Sequence, residues 1–133
     1  MSKILDVVSK IKHKDNLGLC TLEEIKAAEQ TLGLKFSDEY IELITIFGTL
    51  STDYLDISST LKDPFYDVVH LTNEVRNRYS GLPQDLYVIY DVHVDGVVIL
   101  QNESGKVFAI DESSSLMEAY ESLAAFISKI EGV

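Results

Sequence analysis

The stretch TLEEIKAAEQTLGLKFSDEYIELITIFG, residues 21–48, predicts two consecutive helices around which the rest of the chain is arranged. Thr21 followed by Glu24 is a capping box, in which each side chain can bond the other residue's backbone N–H. Apolar residues then recur at helical spacing as far as Leu32. Gly33 supplies the left-handed residue that closes a helix. The first helix therefore has a start, a buried face and an end.

The second helix begins after a linker of three residues. Ser37 is its expected N-cap, and Asp38 and Glu39 place acidic side chains where the positive end of the helix dipole favours them. Gly48 is the expected end. The predicted buried face carries Tyr40, Ile41, Ile44 and Phe47.

This order of signals resembles the SUKH superfamily, which joins fungal cell-wall assembly regulators to bacterial immunity proteins. Its members open with the pattern T-x-E-E-I-x-x-x-E-x-x-L-G-(apolar)-x-(apolar)-P-x-x-Y-x-x-(apolar). The sequence departs from it at Ser37, where proline is usual, and at Gly48-Thr49, where a glycine pair is usual. Serine caps a helix as well as proline starts one, so the change at Ser37 is expected to be harmless. The matching residues are Thr21, Glu23, Glu24, Ile25, Glu29, Leu32, Gly33, Leu34, Phe36, Tyr40 and Leu43.

Length and composition indicate one domain. The chain has 133 residues, of which 46% are apolar, enough for a single packed core. No stretch approaches the ~18 consecutive apolar residues of a membrane span, and charges throughout MSKILDVVSKIKHK argue against a signal peptide. We therefore expect a cytoplasmic protein. Cys20, the only cysteine, cannot form an internal disulfide and is interpreted as a structural thiol.

The first segment, from residue 2 to about residue 14, predicts an amphipathic helix. A basic amphipathic helix can also lie on a membrane or on nucleic acid. Here Asp6 and Asp15 offset part of the lysine charge, and the apolar stripe has the width expected for packing on a core. We therefore expect a solvated charged face, with no membrane and no nucleic acid as partner.

The middle and end of the chain predict a sheet and a closing helix. Residues 54–57 alternate like a short strand, and a helix begins either at Asp63-Pro64 or after Asp67. A closing helix should run from Ser115, which can form a capping box with Glu118, to the glycine at 132. Three further strands, with Asp95-Gly96 as a hairpin turn, are predicted at 86–92, 97–101 and 106–110.

The predicted fold class is therefore α+β: a single domain, residues 1–133, with a mainly antiparallel sheet flanked by N-terminal and C-terminal helices. The SUKH resemblance implies the same architecture. A parallel, doubly wound sheet would contradict it.

The sequence contains no recognisable catalytic motif. It lacks a glycine-rich phosphate loop, a G-x-S-x-G elbow, an H-E-x-x-H motif and paired cysteines, and its histidines, His70 and His93 among them, are far apart. Asp91, Asp95 and Asp111 could share a rim of the sheet and bind a cation. Solvated turn acids are the favoured reading, because their spacing matches no EF-hand loop. We expect no enzyme, no metal and no cofactor.

Charge is distributed unevenly along the chain. Residues 1–35 hold six lysines against five acidic residues, whereas residues 36–133 hold five basic against seventeen acidic residues. The net charge of −11 therefore arises from the later segment. Such a field repels nucleic acid and steers positively charged partners, although acidity can also serve solubility alone.

The resemblance implies what that partner is. Members of the superfamily are commonly immunity proteins that bind a cognate toxin domain, often a nuclease, and block it without doing chemistry. An acidic inhibitor suits a nuclease, whose active site is positive because it holds phosphates. The expected partner is thus a basic toxin protein; oligomeric state is left open. The alternative is a regulatory protein–protein interaction module of the same superfamily, unconnected with a toxin.

Turn and strand-end acids are the expected contact residues, because they project without disturbing the core. Tyr54 and Tyr87 are the expected aromatic anchors. Strict strand alternation would place Tyr87 and Asp91 on one face and turn Tyr90 to the core, which argues against Tyr90 as an anchor. The helical surface around Asp38, Glu39 and Glu42 is the next candidate. The nominated acids are Asp53, Asp56, Asp91, Asp95, Glu103, Asp111 and Glu112.

Overall fold

The structure is a computed structural model that describes residues 3–92, 96–113 and 115–133. Within those residues the helices are α1 (Lys3–Ser9), α2 (Leu22–Leu32), α3 (Asp38–Phe47), α4 (Val68–Arg78) and α5 (Leu123–Glu131). The strands are β1 (Lys14–Leu17), β2 (Thr49–Thr52), β3 (Tyr87–Val92), β4 (Val97–Gln101), β5 (Val107–Ile110) and β6 (Leu116–Tyr120).

The two helices at the centre of the sequence form as predicted. Thr21 Oγ1 accepts from the Glu24 N–H at 3.1 Å, and the Thr21 N–H donates to Glu24 Oε1 at 2.9 Å, so the capping box is complete. Gly33 has a φ of 69°, the left-handed conformation that closes α2. Ser37 Oγ accepts from the Tyr40 N–H at 3.1 Å and caps α3. The cap and end signals predicted for this segment are therefore confirmed.

The strands form two antiparallel sheets, which confirms the α+β fold class. One sheet pairs β1 with β2, and the other has the order β3-β4-β5-β6, so each strand lies beside its sequence neighbour. The predicted meander is confirmed and gains a fourth strand. Gly96, at the β3–β4 turn, has a φ of 67°, whereas Asp95 lies outside the described residues.

Apolar side chains cover the four-stranded sheet on both faces. On one face, Leu71 and Val75 of α4 pack in a cluster with Val88 and Leu100. On the other, a larger cluster joins the sheet to the remaining helices. Members of this larger cluster include Ile4, Ile25, Tyr40, Leu43, Tyr87, Ile89, Ile99 and Phe126. Burial on both faces removes the simple alternation of inward and outward residues that a one-sided sheet shows.

The N-terminal helix is shorter than predicted. α1 ends at Ser9 and not at about residue 14, and β1 begins at Lys14. β1 pairs with β2 from Lys14–Thr52 to Leu17–Thr49 through cross-strand hydrogen bonds. The strand predicted at 54–57 is wrong. The strand in this part of the chain is β2, which pairs with β1, and Asp56 makes only an isolated bridge to Ser51.

The closing helix also begins later than predicted. Residues 116–120 form β6, because Phe108, Ala109 and Ile110 of β5 offer them backbone partners. The helix itself starts after Ser122, whose Oγ accepts from the Ala125 N–H at 3.0 Å. The predicted capping box at Ser115 is therefore wrong. Leu116 and Tyr120, four positions apart, fit either a helix face or every second residue of a strand.

The structure decides two other expectations. α4 begins after Asp67, whose Oδ1 accepts from the Val69 N–H at 3.0 Å, so the later of the two predicted starts is confirmed. Cys20 is buried. None of the helices formed by the described residues has the length and apolar character needed for a membrane span.

Candidate interaction surface

Tyr87 is a core residue, which makes the prediction of an exposed anchor wrong. Its side chain is 0% exposed. The phenolic oxygen accepts from the Ser37 N–H at 2.8 Å and donates to Gln101 Oε1 at 2.9 Å. The ring packs against Phe36 and Tyr40, with centroids 4.7 and 5.1 Å away. Burial raises the pKa of Tyr87 well above its usual range, so the group is neutral at physiological pH.

A bulge in β3 explains why alternation failed here. The β3–β4 register shifts between Val88 and Tyr90, so Ile89 is an extra residue. Ile89 belongs to the larger core cluster, and Tyr90 packs against that same cluster, whereas Val88 lies on the α4 side. Tyr90 therefore lies on the same face of the sheet as Tyr87 and on the opposite face from Val88.

Asp91 lies on the opposite face from Tyr87, contrary to prediction. Asp91 pairs with Val98, and Val98 pairs with Ile110. Residues paired across antiparallel strands project to the same side of a sheet. Val98 and Ile110 belong to the cluster on the α4 side, which assigns Asp91 to that side.

An open apolar groove lies on the other face, between the sheet and α5. Its volume is ≈430 Å³. Buried Leu55, Ile99 and Phe126 form its floor; half-buried Tyr90, Ala109 and Tyr120 form its walls; and exposed Tyr54, Ala119 and Ile130 form its rim. These nine residues are called the apolar groove below.

Tyr54 is the nominated anchor that the structure does place at a surface. Its side chain is 63% exposed at the rim of the apolar groove. The Tyr90 hydroxyl donates to the Tyr54 carbonyl oxygen at 3.2 Å. Thr52 Oγ1 accepts from the Tyr54 N–H at 3.1 Å and donates to Glu131 Oε2 at 2.6 Å. Bonds to β3, and through Thr52 to α5, therefore hold the Tyr54 loop.

Four nominated acids that the structure describes lie at the two ends of the four-stranded sheet. Asp91 lies near the end of β3, next to the β3–β4 turn. Asp111 and Glu112 lie in the β5–β6 turn, and in a meander these two turns are at the same end of the sheet. A Cβ placed on Gly96 would come within 2.5 Å of Glu112 Cγ, so these two turns are in contact. Glu103 lies in the β4–β5 turn at the opposite end. The sheet therefore separates Glu103 from the others, and Asp95 lies outside the described residues.

Asp111 is held by its own turn. Its Oδ1 accepts from the Ser113 hydroxyl at 2.5 Å and from the Ser113 N–H at 2.9 Å. These hydrogen bonds, the hydroxyl's first, lower the pKa of Asp111 below its usual value. Asp53, Asp56, Asp111 and Glu112 are exposed, and Asp91 is half-buried. Asp56 Oδ1 also accepts from Ser51 Oγ at 2.6 Å. The set called the acidic end below is Asp91, Asp111 and Glu112. Asp53 and Asp56 lie in the loop after β2, where Asp53 lines a depression with Lys10 and Lys12.

His70, the candidate histidine in α4, is paired within its own helix. His70 Nε2 lies 3.1 Å from Glu74 Oε1, one helical turn away on an exposed face of α4. His93 lies outside the described residues. Among residues 3–92, 96–113 and 115–133, no three histidine, cysteine, aspartate or glutamate side chains are grouped so as to hold a metal ion.

Sequence reasoning missed the apolar groove. Two of its residues, Ala109 and Ala119, are small, so they leave space between the sheet and α5. Ala119 is an extra residue in β6, where the β5–β6 register shifts. The predicted closing helix had placed it on a helix instead. Of the groove residues, only Tyr54 was indicated by the sequence, as an aromatic anchor.

Comparisons with known proteins support the fold and identify the family. The crystal structure of a protein from Pseudomonas syringae pv. tomato is similar with a TM-score of 0.71; the match covers 96% of this chain and 97% of that chain at 16% identity, and it shows a shared fold. No curated protein matches the chain. The sequence model of the SUKH_5 family, described as SMI1-KNR4 cell-wall, matches residues 1–130. The chain therefore belongs to the SUKH_5 family of SMI1-KNR4 proteins.

Proposed function

We propose that this protein is a non-enzymatic immunity protein that binds and neutralises a basic toxin domain, of the nuclease class, through the acidic end. The observation that carries the proposal is the contact between two turns of the sheet at which acidic residues lie: exposed Asp111 and Glu112 in one turn, and half-buried Asp91 at the strand end that leads to the other. Family membership adds support, because the superfamily includes immunity proteins.

Charge makes this end attractive to a cation-rich surface. Between Arg78 and Lys129 the sequence has one basic residue, Lys106, against eight acidic ones. Lys106 lies 3.3 Å from Glu118 and so is already paired. Arg78 borders this region through a depression that it shares with Ile110 and Leu116. The balance of the sheet side stays negative, which raises association rates with a positive partner.

Neutralisation by this surface needs binding alone. A nuclease site that holds phosphates presents lysine and arginine side chains, and a rigid set of carboxylates can cover that site or its border. Asp111 is suited to this role because its turn fixes the carboxylate and keeps it anionic. No cofactor is required. The proposal places the protein in the cytoplasm, where such a toxin would reach nucleic acid.

A second candidate is a regulatory binding module, favoured by the family's description as SMI1-KNR4 cell-wall. The same acidic end would then contact a basic segment of a signalling protein. The two candidates differ in the partner and not in the kind of surface. Toxicity of the partner therefore separates them.

The test is to co-express this protein with basic nuclease toxin domains, first with the C-terminal domain of any large modular protein encoded just upstream of it, and to measure growth and binding. We expect the cognate domain to arrest growth alone, and co-expression of this chain to restore growth with a measurable 1:1 or 2:2 complex. Binding of a harmless partner would favour the regulatory module. Toxic domains none of which binds or is neutralised would contradict the immunity proposal.

A further inference from the structure

We propose that the apolar groove receives an aromatic or long aliphatic side chain from a basic loop of the toxin partner. This inference rests on the proposed function and adds to it a second contact of different chemistry. The acidic end would supply rate and orientation, and the groove would supply the desolvated anchor. Interfaces commonly divide the two tasks in this way.

The shape of the groove suits an inserted side chain. Its floor is buried, with Leu55 and Phe126 each 2% exposed, while Tyr54 at the rim is 63% exposed. A volume of ≈430 Å³ can take one large side chain with its flanking backbone. A concave, mostly apolar cleft of this volume is the usual form of a binding site in a folded protein.

The groove is also formed before any partner binds. The Tyr90 hydroxyl fixes the Tyr54 loop, and Thr52 links that loop to Glu131 of α5. Tyr120 stacks edge-on against Phe126, with ring centroids 5.4 Å apart, which joins β6 to α5. A preformed site loses less conformational entropy on binding than a mobile one.

The charged residues next to the groove determine which residues of the partner can stand beside the inserted side chain. Asp53 and Asp56 adjoin rim and floor residues in the chain, Glu121 follows Tyr120, and all three are exposed. Lys129 adjoins Ile130, and Lys10 and Lys12 line a separate depression together with Asp53 and Tyr54. The groove therefore favours lysine or arginine beside the apolar residue next to Asp56 or Glu121.

A second copy of this chain fits the groove poorly. Among the residues that the structure describes, the most exposed large apolar side chain of such a copy is Phe65, at 68%. Phe65 stands between Asp63 and Asp67, so it would bring carboxylates toward Asp53 and Asp56. A net charge of −11 adds to that repulsion. These charges favour the basic partner over self-association.

One test uses a peptide and needs no toxin. Blocked Lys-Phe-Lys, Lys-Ala-Lys and Glu-Phe-Glu peptides would be titrated into the isotope-labelled full chain, with backbone and methyl shifts recorded by NMR. We expect Lys-Phe-Lys to shift Ile99, Ala109 and Ile130, and the other two to bind at least tenfold more weakly. Shifts that map elsewhere, or equal binding of Lys-Ala-Lys, would overturn the inference.

The second test uses a variant that fills the groove without changing charge. Ala119→Tyr adds a ring at the rim, and Ala27→Tyr adds the same ring on the exposed side of α2 as a matched control. We expect Ala119→Tyr to weaken toxin binding at least tenfold and Ala27→Tyr to leave it unchanged, with both variants giving native NMR spectra. Binding by Ala119→Tyr at the original affinity would overturn the groove contact and leave the proposed function standing.

The two tests also distinguish the ways in which the account can fail. If no toxin binds the unmodified chain, the proposed function fails, and the peptide titration still decides whether the groove takes a basic-flanked aromatic residue. The remaining possible occupant is a second copy of this chain, and sedimentation of the unmodified chain and of Ala119→Tyr tests for it. A dimer that only Ala119→Tyr disrupts would identify a second copy and overturn the proposal.

Discussion

The backbone N–H of Ser37 donates a hydrogen bond to the phenolic oxygen of Tyr87 at 2.8 Å, across 50 positions of the chain. The Ser37 hydroxyl adds a bond to Gln101 Oε1 at 3.0 Å, which also accepts from Tyr87 at 2.9 Å. All three residues are buried. The start of α3 is therefore tied to β3 and β4 through a polar cluster inside the core.

Ser37→Pro should destabilise the protein, although proline is usual at this position in the resembling family. Proline removes the N–H that Tyr87 accepts and the hydroxyl that caps α3. The Tyr87 hydroxyl and the Tyr40 N–H, both buried, each lose one hydrogen bond, so we expect the free energy of unfolding to fall by ~2–4 kcal/mol. Urea denaturation measures it.

Ser37→Ala is the control for that experiment, because it removes the hydroxyl and keeps the N–H. Its loss should be smaller, at ~1–2 kcal/mol. If Ser37→Pro were as stable as the unmodified chain, the bond to Tyr87 would contribute nothing and this explanation would be wrong.

Glu39→Ala should loosen the C-terminal helix. The Glu39 carboxylate accepts from the Leu123 N–H at 2.5 Å, from the Ala124 N–H at 3.2 Å and from Gln101 Nε2 at 2.8 Å. It thus caps α5 from another helix, and its loss should lower the free energy of unfolding by ~2 kcal/mol. Hydrogen exchange at Leu123 should accelerate.

Asp38→Ala gives the matched comparison for Glu39, since it removes an adjacent, exposed first-turn acid of α3. Only a small loss is expected from it. Equal effects of the two substitutions on α5 exchange would rule out the cap across helices.

Alkaline pH should unfold the protein through its buried tyrosines. Burial raises the pKa of both Tyr40 and Tyr87 above the unfolded value of about 10. The folded state therefore holds these protons more tightly than the unfolded state. Their stabilisation is complete below about pH 10 and is lost as pH rises through the folded pKa values.

Tyrosinate absorbance can follow this transition, because the chain has seven tyrosines. The signals of Tyr40 and Tyr87 should emerge only together with the loss of folded-state circular dichroism. Tyr87→Phe should lower stability at neutral pH and flatten its decline above about pH 10. Ionisation of all seven in one step without unfolding would contradict the buried assignment.

Local signals predicted the centre of the fold, and tertiary pairing decided its ends. The caps at Thr21 and Ser37 act within one turn, so the sequence specifies α2 and α3 directly. β1 and β6 are different. The pattern of β6 is compatible with a helix, and β1 begins where the first predicted helix was expected to end; each forms because a neighbouring strand offers backbone partners. Such partners are invisible to a local reading of the chain.

The candidate surface was predictable only in part. Turn chemistry correctly indicated exposed acids at Asp111 and Glu112. The aromatic positions were not predictable, because Tyr87 is drawn inward by Ser37 and Gln101, and a bulge at Ile89 turns Tyr90 to the groove face. A sheet covered on both faces gives alternation no outward side.

The central claim is that the acidic end binds a basic toxin domain, and two variants of equal charge test it most directly. One neutralises the acidic end by Asp91→Asn, Asp111→Asn and Glu112→Gln. The control neutralises three exposed acids elsewhere by Asp6→Asn, Glu23→Gln and Asp85→Asn. Net charge changes equally in the two variants, so long-range attraction falls by a similar amount.

The measurement is the toxin dissociation constant of each variant by calorimetry, at low and at high salt. The account predicts that the first variant binds at least tenfold more weakly than the control at low salt and that its affinity depends less on salt. Equal affinity and equal salt dependence of the two variants, with both folded, would contradict it, and a larger loss in the control would place the interface elsewhere on the molecule.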